Sequence, residues 1–410
     1  MNSEPVYVIG LGIHGTNELP TSSLELIKQA NQVWGGKRQL EQVQNFSGKK
    51  VLIDGSIQQT VHSLIQRAQH EKIVVLASGD PCFFGIAATI LKVLPPEEVI
   101  ILPQISSLQY AFAKCAIPWQ DAALTSAHAR PLSQVIGLAR RYAKLGILTD
   151  PLQTPAQIAS QFLAAGITDC RAIVCENLGM EDEHITESKL SAITDAAFSP
   201  LNVLLVIQDH GWQPIAVVSH RSDEAYHHPR GLITKRDVRA MSILRLGIHE
   251  TDIIWDIGAG SGAMSIEMAE LAWRGQVYAI EKNEECLKCI RENKDQFCTH
   301  NLEIISGEAP QILDNLPVPG AVFIGGSAGK LSAILDYIDE STNLPCRVVA
   351  NFTILENLME GMQWMKDHRY QAAFTEVQFS YGSQIGCGTR LAPINPVFIL
   401  DGTLHKEEQK

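Results

Sequence analysis

The run Asp256-Ile257-Gly258-Ala259-Gly260-Ser261-Gly262 places an acid before three alternating glycines. Glycine is needed where a backbone turns sharply and must touch a ligand without an intervening Cβ. The N–H groups at a helix start then favour a negatively charged or carboxylate group. A dinucleotide site would read G-x-G-x-x-G; the spacing here is D-x-G-x-G-x-G, so no pyrophosphate needs cradling. Asp256 suits the ammonium of an amino-acid moiety. Glu281 ends the next apolar run (VYAIEKN) about 20–25 residues on, the usual place for an acid that binds ribose hydroxyls. Together the two acids and the loop (Gly258, Ala259, Gly260, Ser261, Gly262) point to S-adenosylmethionine, with a nicotinamide cofactor or a purely structural turn as alternatives. The turns Ser306-Gly307-Glu308-Ala309-Pro310 and Phe323-Ile324-Gly325-Gly326-Ser327 fall at later strand ends and are expected to line the same crevice.

A second candidate lies in the other half. In LASGDPCFFG a buried strand ends at Ser78-Gly79-Asp80-Pro81 and a helix is expected near Phe84. Asp80 can cap that helix and Pro81 is tolerated there, yet the same geometry exposes Gly79 and Asp80 at a sheet's carboxyl edge. Gly10-Leu11-Gly12-Ile13-His14-Gly15 matches G-x-G-x-x-G literally, but Pro20 and a polar stretch delay any helix. Cations for an anionic substrate are Arg230, Lys235, Arg236 and Arg239. If Lys235–Leu246 is helical, Arg236 and Arg239 are i,i+3 neighbours on one face; a solvated helix face is the alternative. Arg390 in GCGTR is a weaker candidate. His128 and Arg130 in SAHAR compete with a surface-loop interpretation. Cys286 and Cys289 form one C-x-x-C inside a helix-like stretch with no second pair, and His227-His228 sits in a polar segment. No metal site is expected from either, and no proton donor or acceptor is identifiable.

Positioning these residues requires an α/β architecture, because strand-like runs alternate with helical patterns throughout the 410 residues. The first half offers strands at Val6–Ile9, Val51–Ile53, Ile73–Ala77 and Val99–Leu102, with a helix over Ser56–His70. A second group follows at Ala122–Leu124, Leu145–Leu148, Arg171–Cys175 and Val203–Ile207. Polar, aperiodic residues 218–231 form a candidate linker. Seven strands follow, beginning with Ile253–Ile257 and ending with Ala372–Ser380 and Val397–Asp401 close together, which suggests a doubly wound sheet finished by an antiparallel hairpin. The expected domains are therefore 1–217, in subdomains of about 1–103 and 104–217, and 232–405. Net charge is −12, which argues against a general nucleic-acid binder but leaves room for a locally basic pocket. No membrane span or signal peptide is expected, and nine scattered cysteines suit reduced thiols in the cytoplasm.

The stretches RGLITKRDVRA, DIGAGSGAMSIEMA, SGEAP, FIGGS and GCGTRLAPINPVFIL resemble the decarboxylating precorrin carbon-15 methyltransferases. That resemblance implies a seven-stranded Rossmann-like class I methyltransferase domain, with Thr234, the Gly258–Gly262 loop, Glu281 and Ala309 at the cofactor. SGDP, LPQISSLQYAFAKCAIPWQDA and TDPLQTPAQIA resemble the tetrapyrrole methylase family over roughly residues 5–210. There it implies two α/β subdomains clasping S-adenosylmethionine, with Gly79, Asp80, Phe83, Ser106 and Ser107 at the cofactor and the Gly10–Gly15 loop facing the macrocycle. Members often carry proline in that loop, where this chain has Ile13-His14. The order of halves resembles the fused methyltransferases of cobalamin synthesis, which methylate carbons 5 and 15 of a precorrin. It implies two cofactor sites per chain, a precorrin or cobalt-precorrin substrate and a homo-oligomer. An RNA methyltransferase and a non-catalytic tetrapyrrole-binding protein are the competing functions.

Overall fold

The computed structural model describes residues 4–53, 71–128, 131–208, 221–229, 231–342 and 345–404. The expected helix over Ser56–His70 lies outside them. Contacts divide the chain into two compact units, Met1–Leu163 with Ile167–Pro214, and Ala164–Gly166 with Ile215–Lys410.

The first unit opens with β1 (Val6–Gly10), β2 (Gln32–Gly35), β3 (Lys49–Leu52), β4 (Ile73–Ala77) and β5 (Val99–Leu102). They form one all-parallel sheet in the order β3-β2-β4-β1-β5. Parallel strands are covered on both faces and so read as continuous apolar runs; all five residues of β4 are buried. Alternation sends Val6, Val8, Ile73 and Val75 into one core, and Ile9, Val74 and Leu76 into the other. Strand β2 is absent from the sequence-based reading because QVWG carries little alternation. Its Trp34 is nevertheless buried, with the indole N–H donating to Gln32 Oε1 at 3.1 Å.

Next come β6 (Ala123–Ser126), β7 (Lys144–Leu148), β8 (Arg171–Glu176), β9 (His184–Lys189) and β10 (Asn202–Ile207). The sheet order is β6-β7-β10-β8-β9, with β6 and β7 parallel and the other pairs antiparallel. Strand β9, HITESK, is too polar to be expected from its sequence; it is an edge strand paired only with β8. Between the two sheets the chain enters the Ser107–Lys114 helix through a capping box. Gln109 N donates to Ser106 Oγ at 3.2 Å and Ser106 N donates to Gln109 Oε1 at 2.8 Å.

The second unit contains β11 (Ile253–Ile257), β12 (Gln276–Glu281), β13 (Leu302–Ser306), β14 (Ala321–Ile324), β15 (Cys346–Phe352), β16 (Ala372–Val377), β17 (Ser380–Ile385), β18 (Gly388–Pro393) and β19 (Val397–Leu404). The main sheet runs β13-β12-β11-β14-β15-β19-β16; its first five strands are parallel, and β19 is antiparallel to both neighbours. The Arg236–Leu246, Ala263–Leu271 and Glu284–Gln296 helices cover one face. The Leu331–Ser341 and Leu355–Asp367 helices cover the other. The stretch expected as one strand to Ser380 instead breaks after Val377, and β17 and β18 form a separate two-stranded hairpin.

The described part of the expected linker is not a free tether. Tyr226 is buried in the core of the second unit, and its hydroxyl donates to Glu267 Oε1 at 2.9 Å. Arg221 grips Glu270 with two hydrogen bonds of 3.0 and 2.6 Å. Asn293 brackets His227, accepting from its N–H and donating to its carbonyl, both at 2.8 Å. Residues 221–229 are thus a strap across the helices, polar in sequence because their polar groups meet internal partners.

Candidate functional site

Each unit holds a cavity at the carboxyl edge of a parallel sheet, where ligands bind in open α/β folds. The C-terminal one has a volume of about 860 Å³ and lies over the ends of β11, β12, β13, β14 and β15. Gly258, Ala259, Gly260 and Ser261 form its floor, with Glu281, Ala309, Thr234 and Lys235 in its walls. Gly262 sits behind them at the helix start, with φ +77°.

The loop owes its shape to one tight crossing. Gly258 has φ +71°, and a Cβ on it would stand 2.5 Å from Gly326 O and 2.7 Å from Gly326 N. Only glycine lets the turns after β11 and β14 touch this closely. Gly258 N and Ala259 N donate to Ile280 O, fixing the loop to β12. Glu281 accepts from Gly260 N through Oε2 at 2.8 Å, and from Lys282 N and Asn283 N through Oε1 at 2.8 and 2.9 Å. Three of roughly four acceptor positions are filled, leaving capacity for a hydroxyl donor from the cavity.

Asp256 is placed differently from its expected role. It has no exposed surface and is not among the lining residues. Its Oδ2 accepts from Ser265 Oγ and its Oδ1 has no partner. Burial pushes its carboxyl up to about 7, against the opposing pull of the Ser265 hydrogen bond. A carboxylate turned away from the cavity and easily protonated does not receive a ligand ammonium there.

The cation cluster also resolves differently. Arg239 is fully buried: Nε donates to Glu267 Oε1 at 3.0 Å, Nη1 to Asp223 Oδ1 at 2.8 Å and Thr234 O at 2.6 Å, and Nη2 to Arg221 O at 2.7 Å. It holds the strap to the helix and is not available to a substrate. Arg236, its i,i+3 neighbour in the Arg236–Leu246 helix, is partly exposed, 3.6 Å from Asp237, and does not line the cavity. Lys235 does line it, with Nζ 3.2 Å from Asp223. Arg390 is exposed on β18, outside the cavity wall. Arg230 and Arg130 lie outside the described residues. Cys286 and Cys289 are buried helix positions, their thiols pushed up by burial, Cys286 to about 11.

Sequence reasoning missed a charged trio at the rim. Glu308 accepts from Lys282 Nζ at 2.6 Å and Lys330 Nζ at 2.8 Å, and these two cations hold its carboxyl down to about 2. The SGEAP turn marked the place but not the partners, which follow two other strands.

The N-terminal cavity has a volume of about 530 Å³ and lies between the two sheets of the first unit. Gly79, Asp80, Phe83, Ser106 and Ser107 all line it, as do Gly12 and Ile13. The glycine loop and the Ser78-Gly79-Asp80 turn are joined by a bridge between Gly12 and Gly79. A Cβ on Gly10 would fall 2.1 Å from Gly79 O, so that contact also requires glycine. Asp80 caps a turn and no helix: its Oδ1 accepts from Cys82 N at 2.8 Å, and the next helix begins only at Ala87. Phe84 intervenes with φ +51°.

Comparisons with known proteins match this division. A profile described as Tetrapyrrole (Corrin/Porphyrin) Methylases covers residues 5–194, and one described as Precorrin methyltransferase domain covers 224–403. A precorrin-6Y C(5,15)-methyltransferase [decarboxylating] of Sinorhizobium sp is 31% identical over 97% of both chains. The chain belongs to the precorrin-6Y C(5,15)-methyltransferase (decarboxylating) family. It is an α/β methyltransferase of a family that uses S-adenosylmethionine. Its halves also match separate proteins of Salmonella typhimurium. A cobalt-precorrin-7 C(5)-methyltransferase is 33% identical over 49% of this chain and 98% of its own. A cobalt-precorrin-6B C(15)-methyltransferase (decarboxylating) is 34% identical over 43% of this chain and 90% of its own.

Proposed function

We propose that the chain methylates one precorrin macrocycle twice, at carbon 5 in the N-terminal unit and at carbon 15 in the C-terminal unit. Each unit uses its own S-adenosylmethionine, and an acetate arm is lost as carbon dioxide at the second site. The observation that carries this is the presence of two separately built cavities, each at the carboxyl edge of its own parallel sheet. The C-terminal residues fit the cofactor: Glu281 keeps an acceptor position for a ribose hydroxyl, and the Gly258–Ser261 backbone makes a cradle that a side chain would fill. In the N-terminal cavity Gly79, Asp80, Phe83, Ser106 and Ser107 would hold it.

When bound, the cofactor supplies a methyl group activated on a sulfonium. The protein's own work is alignment and exclusion of water. Reduced tetrapyrrole carbons are electron-rich enamines, so the nucleophile needs placement more than deprotonation. The glycine cradle fixes one reactant, and the apolar wall of Leu232, Ile233, Ile394 and Val397 excludes solvent from the other. Dry walls also favour loss of charge from a reacting acetate, with the conjugated ring as electron sink. Among the described residues, Lys235 is the expected cation that lines this cavity.

The test is direct. Purified protein is incubated with precorrin-6B and labelled S-adenosylmethionine, and products are weighed. Two methyls gained and one carbon dioxide lost is the expected result; one methyl per macrocycle refutes the double assignment. Calorimetry should separately count two cofactors per chain.

A further inference from the structure

The N-terminal cavity carries a cation that no other described residue uses. Arg38 lies in the Lys37–Glu41 helix after β2 and lines the cavity beside Gln39. Gln39 Nε2 donates to Ser78 Oγ at 2.6 Å, one residue before Gly79. The segment carrying Arg38 is therefore tied to the turn expected to meet the cofactor. The guanidinium is exposed at the rim, and no hydrogen bond or ion pair joins it to another described residue. In the C-terminal unit, by contrast, the buried and part-buried Arg221, Arg239, Arg245 and Arg347 each hold a carboxylate.

Across the cavity, His128 projects from the end of β6 in the other subdomain, its Nδ1 3.4 Å from Asp150 Oδ2. Asp80, the carboxylate in the cavity lining, already accepts from Cys82 N. An unpaired guanidinium presents a planar fork of N–H donors that matches a carboxylate with two parallel hydrogen bonds.

We propose that Arg38 is a carboxylate anchor of the N-terminal cavity, facing His128 across the bound macrocycle and gripping one of its side-chain carboxylates. This rests on the double methylation proposed above. The same fork would also fit the amino-acid carboxylate of the cofactor, and the experiment separates the two sources.

Wild-type, R38A and R38K proteins are given precorrin-6B and labelled cofactor, and the methyls are followed separately by mass. R38A is expected to add the carbon-15 methyl and release carbon dioxide at the wild-type rate, which reports that the C-terminal unit is folded; wild-type circular dichroism and an unchanged cofactor affinity in the N-terminal unit report that it is folded too. Its KM for the macrocycle in the carbon-5 step should rise about tenfold with kcat little changed, the scale of one exposed charge-assisted contact. R38K, which keeps charge but not the fork, should recover part of this. If instead the cofactor affinity of the N-terminal unit falls tenfold by calorimetry and the macrocycle KM holds, the carboxylate is the cofactor's. Unchanged KM and unchanged cofactor affinity overturn the anchor. Failure of the wild type to add a carbon-5 methyl counts against the proposed function instead.

Discussion

Gly258→Ala tests whether the C-terminal loop is a ligand cradle held open by one backbone crossing. The native φ of +71° lies in the left-handed region, which costs an alanine about 1–2 kcal/mol. The added Cβ would sit 2.5 Å from Gly326 O, 2.7 Å from Gly326 N and 2.9 Å from its Cα. All three are backbone atoms, so no side chain can rotate away. The Gly325–Ser327 turn must retreat by roughly 1 Å to reach ordinary contact distance. Strain and displacement together are worth about 3 kcal/mol, or on the order of a hundredfold in cofactor affinity at that site. Titration calorimetry with S-adenosylhomocysteine should then fall from two sites per chain to one within the accessible concentration range. Methyl counting should show the carbon-15 methyl lost. A variant that still binds two equivalents and adds that methyl at the wild-type rate would show that the crossing does not shape the site.

Two further outcomes follow from buried charges. Asp256 carries a proton in the folded chain up to about pH 7, against an ordinary value of 3.8. Its contribution therefore favours folding below about pH 4 and is lost as pH rises to about 7, a change of about 4 kcal/mol. Asp256→Asn should flatten that decline, read as hydrogen exchange in β11 between pH 5 and pH 8; equal slopes in both proteins would sink the argument. Arg239→Ala leaves the buried Glu267 without its ion partner, which should destabilise the C-terminal unit by about 3–5 kcal/mol in urea unfolding. Unchanged stability with a raised KM for the macrocycle would return Arg239 to the substrate.

Legibility in the sequence tracked how far a feature is set by local chemistry. Strands such as Ile73–Ala77 and Ile253–Ile257 announced themselves because burial on both faces demands unbroken apolar runs. Strands β2 and β9 did not, since QVWG is short and HITESK is a polar edge. The glycine loop was legible because a backbone crossing excludes every other residue type. The arginines were not: Arg236 and Arg239 are identical in type and adjacent by helical spacing, yet one is partly exposed and the other fully buried. What separates them is Asp223 and Glu267, 16 and 28 residues from Arg239 along the chain. Polar composition likewise suggested a tether at 218–231, because composition does not reveal that the partners of Arg221 and Tyr226 are internal.

The two acids of the C-terminal motif show why spacing alone could not divide their labour. Asp256 is the next-to-last residue of β11 and Glu281 the last of its parallel neighbour β12. Alternation along β11 turns Asp256 toward the Ala263–Leu271 helix, where Ser265 is its one hydrogen-bond donor and burial favours the neutral acid. Glu281 stands two residues further up its own strand, since Asp256 pairs with Ala279 and Ile257 with Ile280. That step carries it past the sheet edge into three backbone N–H groups and the cavity. The first acid thus serves to fasten the loop to the helix behind it. The second, held rigid by the loop so fastened, is the one able to meet a ligand. Removing Asp256 should therefore weaken the cofactor site only indirectly, through the set of the loop, while loss of the Glu281 carboxylate should weaken it at once.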